Sequence, residues 1–336
     1  MMNNSDNQTI RISLPSKGRL EADTLEFLTD CGLPVYKPNP RQYEARIPHL
    51  PELVVLFQRP ADIVVSVRDG SVDFGISGLD VIAEHRGDNG QLLVLHDELG
   101  FGRCRLALAV PEQWQNVRSL ADLRRHAEAS LTPLRVATKY PRLTAAYLDK
   151  HLVSHKLISA EGTLETAPAI GYADLISDLV SSGQTLRDNR LRPLPDGNIL
   201  NSQAALIANR RLLQHSPGVL SMARQLLEIF EAHLRAKENL SVVANMRGQS
   251  GEAISARLFN ETSLGGLQGP TISRVYARDG EPNWYAIHLI VRRSQLFQAV
   301  SELRKIGGSG VVVSPVAYIF EEEPPRYTAM LQALQD

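Results

Sequence analysis

The chain has 336 residues, a length that exceeds the usual range of one domain and predicts two or three domains. Hydrophobic residues make up 43% and charged residues 22%, which excludes collagen, coiled coil and wholesale disorder and favours a globular protein. The 36 Lys and Arg residues are balanced by 37 Asp and Glu residues, giving a net charge of -1. This balance argues against a nucleic-acid or anionic-membrane binder, although a local anion site stays open.

The cysteines and the N-terminal residues bear on the cellular compartment. Cys31 and Cys104 lie far apart and match no metal-ligand spacing, so we expect two buried thiols rather than a disulfide scaffold or zinc module. The polar residues 1–9 predict a flexible tail without signal-peptide character. No apolar run approaches the roughly 18 residues of a membrane span. We therefore expect a cytoplasmic protein.

Hydrophobic periodicity predicts a first α/β block in which strands alternate with helices. A strand at 10–14 runs into a basic turn, and a helix over 20–31 ends at Gly32. The remaining predicted elements are a strand at 53–57, a helix at 61–69 and a strand at 72–77.

Two further blocks follow. The second contains predicted strands at 105–110, 134–137 and 173–179, with a helix at 141–151. An apolar segment at 204–208 and a long amphipathic helix at 219–237 lead to the third block. That block has predicted strands at 240–245, 271–276, 284–291 and 310–313, with helices at 251–258 and 294–306. Its βαββαβ order fits a small ferredoxin-like module. The residues after it indicate a surface tail that finishes in a short helical pattern.

The strongest site signal is an apolar strand that delivers Asp178 at its carboxyl end. A loop rich in hydroxyl groups and glycine follows directly: Ser181, Ser182, Gly183, Gln184 and Thr185. Backbone amides in such a loop can converge on a phosphate, and glycine permits the close approach. An ordinary strand-to-helix turn has the same composition, so this alternative stays open.

Cations follow two of the predicted strands. Lys17 and Arg19 flank Gly18 in one turn, and Arg59 follows the strand at 53–57. Lysine acts as a point charge and arginine as a bidentate fork, so both suit a polyanion. Solvated surface cations are the plainer alternative.

A third signal is the segment DFGISGLD at 73–80, in which a strand leaves into a glycine turn with an acid beyond it. Gly75, Gly78 and Asp80 could hold a ribose or an adenine edge, and Tyr140 could add an aromatic face. The spacing is not GxGxxG, which disfavours a nicotinamide cofactor. The scattered histidines form no catalytic constellation, and we assign them no role.

Together these stretches resemble the long form of the ATP phosphoribosyltransferase family. The characteristic pattern of that family is complete here from Glu165 through Gly171 and Asp178 to Leu186. The stretches LPSKGRL, QRPADI, DFGISGLD and ATKYP occur in the family's order, so the resemblance covers nearly the whole chain.

The resemblance implies an α/β fold with a two-lobed, periplasmic-binding-protein-like catalytic core and a C-terminal ferredoxin-like (ACT-like) domain. A flexible tail at 1–9 is followed by a first catalytic lobe at 10–103 and 199–238. The second catalytic lobe is expected at 104–198, the regulatory domain at 239–322 and a C-terminal tail at 323–336.

The implied reaction joins the phosphoribosyl group of phosphoribosyl pyrophosphate to N1 of ATP. It yields phosphoribosyl-ATP and pyrophosphate in the first step of histidine biosynthesis, with L-histidine as allosteric feedback inhibitor. Mg²⁺ is expected to be carried by the substrate, with no metal ligands from the protein. A homo-oligomer from dimer to hexamer is expected, with neither a nucleic acid nor a membrane as partner.

The resemblance also implies roles for individual residues. Lys17, Arg19 and Arg59 should act on the phosphates, while Asp178 should lie near the ribose and favour an oxocarbenium-like sugar. The loop at 181–185 should cradle the 5-phosphate. The implied nucleotide-binding residues are Gly75, Gly78, Asp80, Tyr140 and Glu165. The implied regulatory residues are Asn245, Gly269, Thr271 and Gly308.

Two rival interpretations remain. The first is a solute-sensing module that keeps the two-lobed fold without turnover, since fold alone does not determine function. The second is a short-form catalytic subunit that needs a separate regulatory partner. Residues 240–320 already supply a domain of regulatory size, which disfavours the second.

Overall fold

The computed structural model describes residues 9–39, 42–159, 162–276 and 283–335. The chain forms two compact units, Met1–Arg224 with Arg326–Asp336, and Gln225–Pro325. In the described residues no helix is both long and apolar enough to cross a membrane. The predicted tail at 1–9 lies outside the described residues except for Thr9.

Lobe I is the first part of the larger unit, residues 10–96 with 204–224. Its first elements are β1 (Ile10–Pro15), α1 (Arg19–Asp30), β2 (Glu44–Ile47), β3 (Leu50–Gln58), α2 (Pro60–Arg68), β4 (Phe74–Gly78), α3 (Leu79–His85) and β5 (Leu92–His96). The chain returns to it through β11 (Ala204–Asn209), α7 (Arg210–His215) and α8 (Pro217–Lys237).

The sheet of lobe I has the strand order β2-β3-β1-β4-β11-β5. β1 is parallel to both β3 and β4, so the carboxyl ends of these three strands meet at one edge of the sheet. Ile63, Val64 and Val67 of α2 are completely buried against the sheet. Pro60 suits the first position of this helix because the missing amide hydrogen has no helical partner there.

Lobe II, residues 104–202, lies between the two parts of lobe I in the sequence. Its elements are β6 (Cys104–Pro111), α4 (Leu120–Ala129), β7 (Leu134–Thr138), α5 (Pro141–Lys150), β8 (His155–Ser159), a 3₁₀ turn (Leu164–Thr166), β9 (Leu175–Val180), α6 (Gln184–Asp188) and β10 (Leu191–Ser202). The strand order is β10-β6-β9-β7-β8. Apolar clusters form on both faces of this sheet, as expected for a layer covered by helices.

The chain passes between the two sheets after β5 and again between β10 and β11. This arrangement confirms the α/β class and the two-lobed core. The second passage differs from the predicted boundary at 198, because β10 stays paired with β6 as far as Ser202 opposite Cys104.

The smaller unit contains β12 (Asn239–Arg247), α9 (Gly251–Glu261), β13 (Thr271–Arg274), β14 (Trp284–Arg292), α10 (Leu296–Lys305) and β15 (Ser309–Pro315). Its sheet is antiparallel with the order β13-β14-β12-β15, so the βαββαβ prediction is confirmed. Alternate residues such as Val242, Ala244, Ile287 and Leu289 form its core with Leu303 of α10. The unit begins within α8, where Arg235 Nη1 donates to the Ile319 carbonyl at 2.9 Å, rather than at the predicted residue 239.

The last residues differ from the surface tail that the sequence indicates. They form α11 (Pro325–Gln335), whose Met330 is 4% exposed. Arg210 Nη1 donates to the Ala333 carbonyl at 2.6 Å, and Gln214 Nε2 donates to the Leu334 carbonyl at 2.9 Å. The two side chains thus satisfy carbonyls at the C-terminus of α11 that have no partner within the helix.

Strands β2, β5, β8 and β10 were not predicted. β2 has only four residues, which is too short for a clear alternation. β10 contains Pro193, Pro195 and Gly197, which are signals of a turn. They are tolerated because β10 is an edge strand with register shifts after Pro193.

His96 at the end of β5 makes stability depend on pH. Its ring is buried, and Nδ1 accepts the Glu98 amide at 3.1 Å. Burial, with a smaller effect of Arg326, lowers the pKa of His96 from 6.5 to about 4. The unfolded chain therefore binds more protons than the folded chain between these two values, so stability falls as the pH falls through this window.

We predict that the titration of His96 lowers the free energy of unfolding by about 2–3 kcal/mol between neutral pH and pH ~4. Urea denaturation across this range measures the loss, and the His96→Asn variant is the control. Its side-chain oxygen can still accept the Glu98 amide, but the group does not titrate. Identical pH dependence in the two proteins would contradict the prediction.

Candidate active site

Two basic turns meet at the sheet edge where β1 and β3 end. The parallel register pairs Pro15 with Gln58, and the Ser16 amide donates to the Gln58 carbonyl at 2.9 Å. Lys17 and Arg59, the next residues of the two turns, are exposed. The structure therefore brings these two predicted cations to neighbouring turns on one edge.

Arg19 begins α1 directly after Gly18. Gly18 has φ 78°, a left-handed conformation that favours glycine and lets the turn form. The Arg19 side chain is 78% exposed, with Nε 3.4 Å from Asp23 Oδ2 one helical turn later. It is a solvated cation at the mouth of the cleft between the lobes.

Asp80 is a buried carboxylate at the boundary between the lobes. It is 3% exposed and accepts hydrogen bonds from the Tyr140 hydroxyl at 2.6 Å and from Ser202 Oγ at 2.5 Å. Ser202 Oγ in turn accepts the Asp80 amide at 3.0 Å. A Cβ at Gly78 would collide with Asp80 Oδ1, so glycine leaves room for this carboxylate. Burial and the adjacent Asp80 charge raise the pKa of Tyr140, which keeps the phenol protonated.

A chain of buried hydroxyl groups connects Tyr140 with the strand that leads to the loop at 181–185. Thr138 Oγ1 accepts the Tyr140 amide at 2.9 Å and lies 3.3 Å from Thr144 Oγ1. Thr144 Oγ1 donates to Ser177 Oγ at 2.8 Å. Since Ser177 directly precedes Asp178, these bonds fix Tyr140 and Asp178 relative to each other.

Asp178 lies within β9, slightly before the strand end at which the sequence places it. Its Oδ1 accepts the Leu179 amide at 2.8 Å. Burial raises the pKa of Asp178, the Leu179 amide and Lys139 lower it, and Glu165 raises it further. Glu165 and Lys139 therefore lie within electrostatic range of Asp178.

The loop after β9 combines exposed hydroxyl groups with a left-handed glycine. Ser181 and Ser182 are exposed, and Gly183 adopts a left-handed conformation with φ 72° immediately before α6. Ser182 Oγ accepts the Gln184 amide at 3.3 Å. Thr185 follows in the first turn, where amides have no partner within the helix. Exposed hydroxyl groups and loop amides can together bind a phosphate.

A pocket of about 360 Å³ lies between the lobes. It brings together five of the predicted site residues, Arg19, Gly78, Asp80, Tyr140 and Ser181. The volume is in the usual range for a small-molecule site. The other predicted catalytic and substrate residues do not line it.

Three residues that the sequence analysis missed belong to the same region. Arg103 and Cys104 line the pocket, and Ser202 bonds to Asp80. Cys31 is buried as expected, but Cys104 is partly exposed, which corrects that prediction. Burial, followed by the Asp80 charge, raises the pKa of the Cys104 thiol to about 11, so it stays protonated. In the sequence, the pair of glycines just before Arg103 is the signal that could have indicated a turn at the passage between the lobes.

Gly75 packs against α2 and does not line the pocket, where a nucleotide-binding residue would be expected. It is buried beneath α2, where a Cβ would lie 2.5 Å from Ile63 Cγ2 and 3.1 Å from Val67 Cγ2. The structure therefore gives Gly75 a packing role outside the pocket.

The predicted regulatory residues fall in two separate parts of the sheet in the smaller unit, and Asn245 lies on the inner strand β12. Asn245 pairs with Ser309, next to Gly308, on the β15 side. Thr271 begins β13 at the other edge, and Gly269 precedes it in a turn with φ 128°. A pocket of about 450 Å³ in this unit is lined by Arg235 and Arg292, and by none of the four predicted residues.

Among the described residues, no group of three or more His, Cys, Asp or Glu side chains is placed to hold a metal ion.

Comparison with known proteins identifies the family. The family model for ATP phosphoribosyltransferase matches residues 59–232, and the model for the C-terminal domain of the same family matches residues 236–318. The chain belongs to the ATP phosphoribosyltransferase family. It is similar to ATP phosphoribosyltransferase 2, chloroplastic, of Arabidopsis thaliana, with 47% identity covering 97% of this chain and 81% of that protein.

More distant members cover the chain as well. The ATP phosphoribosyltransferase of Gemmatimonas aurantiaca is 34% identical over 91% of this chain and 98% of that protein. A solved structure of the ATP phosphoribosyl transferase (HisG:HisZ) complex from Thermotoga maritima matches with 25% identity and a TM-score of 0.51. That match covers 66% of this chain and 98% of the solved chain.

These matches confirm the family, the fold class and the enzyme class inferred from the sequence. The chain is a pentosyltransferase of histidine biosynthesis. ATP and phosphoribosyl pyrophosphate fit this family as substrates, and the family is generally Mg²⁺-dependent.

We predict that Gly75→Ala lowers the free energy of unfolding by about 1–3 kcal/mol, because the added methyl overpacks the contact with α2. The KM values for both substrates should stay at their wild-type values. Urea denaturation and steady-state kinetics measure the two effects. Gly162→Ala, where a Cβ meets open space, is the matched control. A raised KM for ATP without loss of stability would instead support the nucleotide-binding role.

Proposed function

We propose that this chain transfers the phosphoribosyl group of phosphoribosyl pyrophosphate to N1 of ATP, forming phosphoribosyl-ATP and releasing pyrophosphate. The observation that carries the proposal is the cleft where Asp80 and Tyr140 meet the loop at 181–185. One wall suits a nucleotide, and the adjoining loop suits a sugar phosphate.

The chemistry requires positioning more than proton transfer. The adenine N1 lone pair forms the bond to the anomeric carbon while the bond from that carbon to pyrophosphate breaks. N1 has no proton to lose, so no general base is needed, and none of the histidines is required. Orientation of the two substrates and stabilisation of the departing charge supply the rate enhancement.

The exposed cations at the sheet edge suit the leaving group. Lys17 and Arg59 occupy neighbouring turns and would balance the charge that develops on pyrophosphate. Phosphoribosyl pyrophosphate would enter as its Mg²⁺ complex, in which substrate oxygens supply ligands to a hard cation. This route needs no metal-binding cluster of the protein.

The remaining roles follow from position and charge. The loop from Ser181 to Thr185 would bind the 5-phosphate, and Asp178 would face the ribose and favour positive charge on the reacting sugar. Glu165 lies close enough to Asp178 to act on the same region. Arg19, Gly78, Asp80 and Tyr140 would form the nucleotide side.

The smaller unit would regulate the enzyme by binding L-histidine. Its candidate residues fall in two groups, Gly269 and Thr271 at the β13 edge, and Gly308 beside the β15 edge with Asn245 on the neighbouring inner strand β12. The two edges are separated by about 14 Å across three strand spacings. An amino acid is too small to contact both edges of one copy. This separation supports a site completed by a second copy, and hence a homo-oligomer between dimer and hexamer. The compartment that we propose for it is the cytoplasm.

The proposal is tested by mixing the purified protein with ATP, phosphoribosyl pyrophosphate and Mg²⁺ and following the absorbance of the N1-substituted adenine nucleotide. We expect product that requires both substrates and is suppressed by L-histidine. Product without suppression would remove the regulatory part. No product from folded protein that binds phosphoribosyl pyrophosphate would favour the sensing function instead.

We also expect Arg103 to hold the nucleotide phosphates, because it is an exposed cation that lines the same pocket as Asp80 and Tyr140. Arg103→Ala should raise the KM for ATP about tenfold, the effect of losing one charge-assisted hydrogen bond. The KM for phosphoribosyl pyrophosphate should change little.

Arg124→Ala is the control for this prediction, because Arg124 is a surface cation of α4 paired with Glu128. Competitive inhibition by AMP should be less sensitive to Arg103→Ala than binding of ATP, since AMP carries fewer phosphate charges. A raised KM for phosphoribosyl pyrophosphate alone would assign Arg103 to the other substrate.

A further inference from the structure

Helix α5 lacks a cap of its own. It begins at Pro141, and its N-cap residue Tyr140 makes no side-chain hydrogen bond to the helix. The next amides, those of Arg142 and Leu143, lie in the first turn and have no acceptor within the helix. Because buried amides require a partner, another part of the protein must supply one.

Glu84 of α3 supplies it from the other lobe. Its Oε1 accepts the Arg142 amide at 2.7 Å, and its Oε2 accepts the Leu143 amide at 3.0 Å. The Glu84 residue is 7% exposed, so the carboxylate is shielded from solvent. A carboxylate at a helix N-terminus also interacts favourably with the helix dipole.

Asp80 lies one helical turn before Glu84 and therefore on the same face of α3. It accepts the Tyr140 hydroxyl at 2.6 Å. One short helix of lobe I thus holds both the N-terminus of α5 and the ring that precedes it. Asp80 and Tyr140 line the pocket, whereas Glu84 does not.

A third contact joins the same elements. The Arg142 guanidinium donates to the Ala83 carbonyl at 2.7 Å and is 3.3 Å from Asp88 Oδ1. Asp88 is 98% exposed, so this ion pair is a surface contact of small energy. The two buried amide bonds to Glu84 are therefore the main restraint on the first turn of α5.

We infer that Glu84 is a positioning residue of the nucleotide site, which holds the first turn of α5 so that the Tyr140 hydroxyl stays bonded to Asp80. The inference rests on the proposed function, because it takes Tyr140 and Asp80 as the nucleotide wall. Glu84 acts on ATP only through Tyr140. Phosphoribosyl pyrophosphate, bound at the loop of residues 181–185, is expected to be affected less than ATP, because, among the described residues, α5 is hydrogen-bonded to that region only through the bond from Thr144 to Ser177.

The first test is Glu84→Gln, which keeps the shape but loses one acceptor and the charge. We expect the Kd for ATP, measured by calorimetry on the full-length protein, to rise about tenfold, the usual effect of losing a buried charged hydrogen bond. The Kd for phosphoribosyl pyrophosphate should rise less than the Kd for ATP. Asp88→Asn, which removes the surface ion pair with Arg142, is the control and should bind both substrates normally.

A double-mutant cycle separates positioning from a general structural effect. In a Tyr140→Phe background the hydroxyl bond to Asp80 is absent, so Glu84→Gln should change the Kd for ATP less than about twofold. Equal effects in both backgrounds, or an equal loss of phosphoribosyl pyrophosphate binding, would overturn the inference. Glu84→Asp, which keeps the charge, takes the place of Glu84→Gln in the cycle if the latter does not fold.

Different results would overturn the proposed function and the positioning role of Glu84. A wild-type protein that neither binds ATP nor forms product would overturn the proposed function and this role with it. If the wild-type protein binds ATP and the Glu84→Gln variant has the same Kd for ATP, only the positioning role is overturned.

Discussion

The buried carboxylate of Asp80 is the constraint on which the cleft depends. Burial of a charge is costly unless several donors satisfy it. Here the donors come from distant parts of the chain, the Tyr140 hydroxyl of lobe II and Ser202 at the end of β10. Asp80 is stable in this position only when both lobes are in place. The same bonds fix the Tyr140 ring, so the wall that we propose for the nucleotide is part of the junction of the lobes.

The turns that carry Lys17 and Arg59 are held in place by hydrogen bonds between the side chains beneath them. Under the turns that carry Lys17 and Arg59, Ser13 Oγ donates to Gln58 Oε1 at 2.7 Å, and Gln58 Nε2 donates to Ser66 Oγ at 3.1 Å. These bonds tie the ends of β1 and β3 to α2. The turns are held firmly while the charged groups stay solvated and able to bind a polyanion. This division suits a reaction that depends on positioning and on charge stabilisation.

The sequence predicted those features that depend on local pattern. Alternating apolar residues and glycine turns located most strands of lobe I, and the hydroxyl groups and glycine of residues 181–185 located the turn between β9 and α6. The capping of α5 by Glu84 could not be predicted from the sequence, because no local pattern indicates that a carboxylate accepts hydrogen bonds from amides 58 and 59 positions away. Gly75 shows a second limit. A glycine that makes room for a helix looks the same in sequence as one that makes room for a ligand.

The separation of the four regulatory candidates has a thermodynamic consequence. If a ligand must contact the β13 edge of one copy and the β15 edge of another, it binds the associated state and not the single chain. Mass action then links ligand affinity to protein concentration, because ligand binding stabilises the associated state. The smaller unit runs from within α8 to the start of α11 and is covalently joined to the larger unit at both ends. Changes in the associated state can therefore reach the lobes through two connections rather than one.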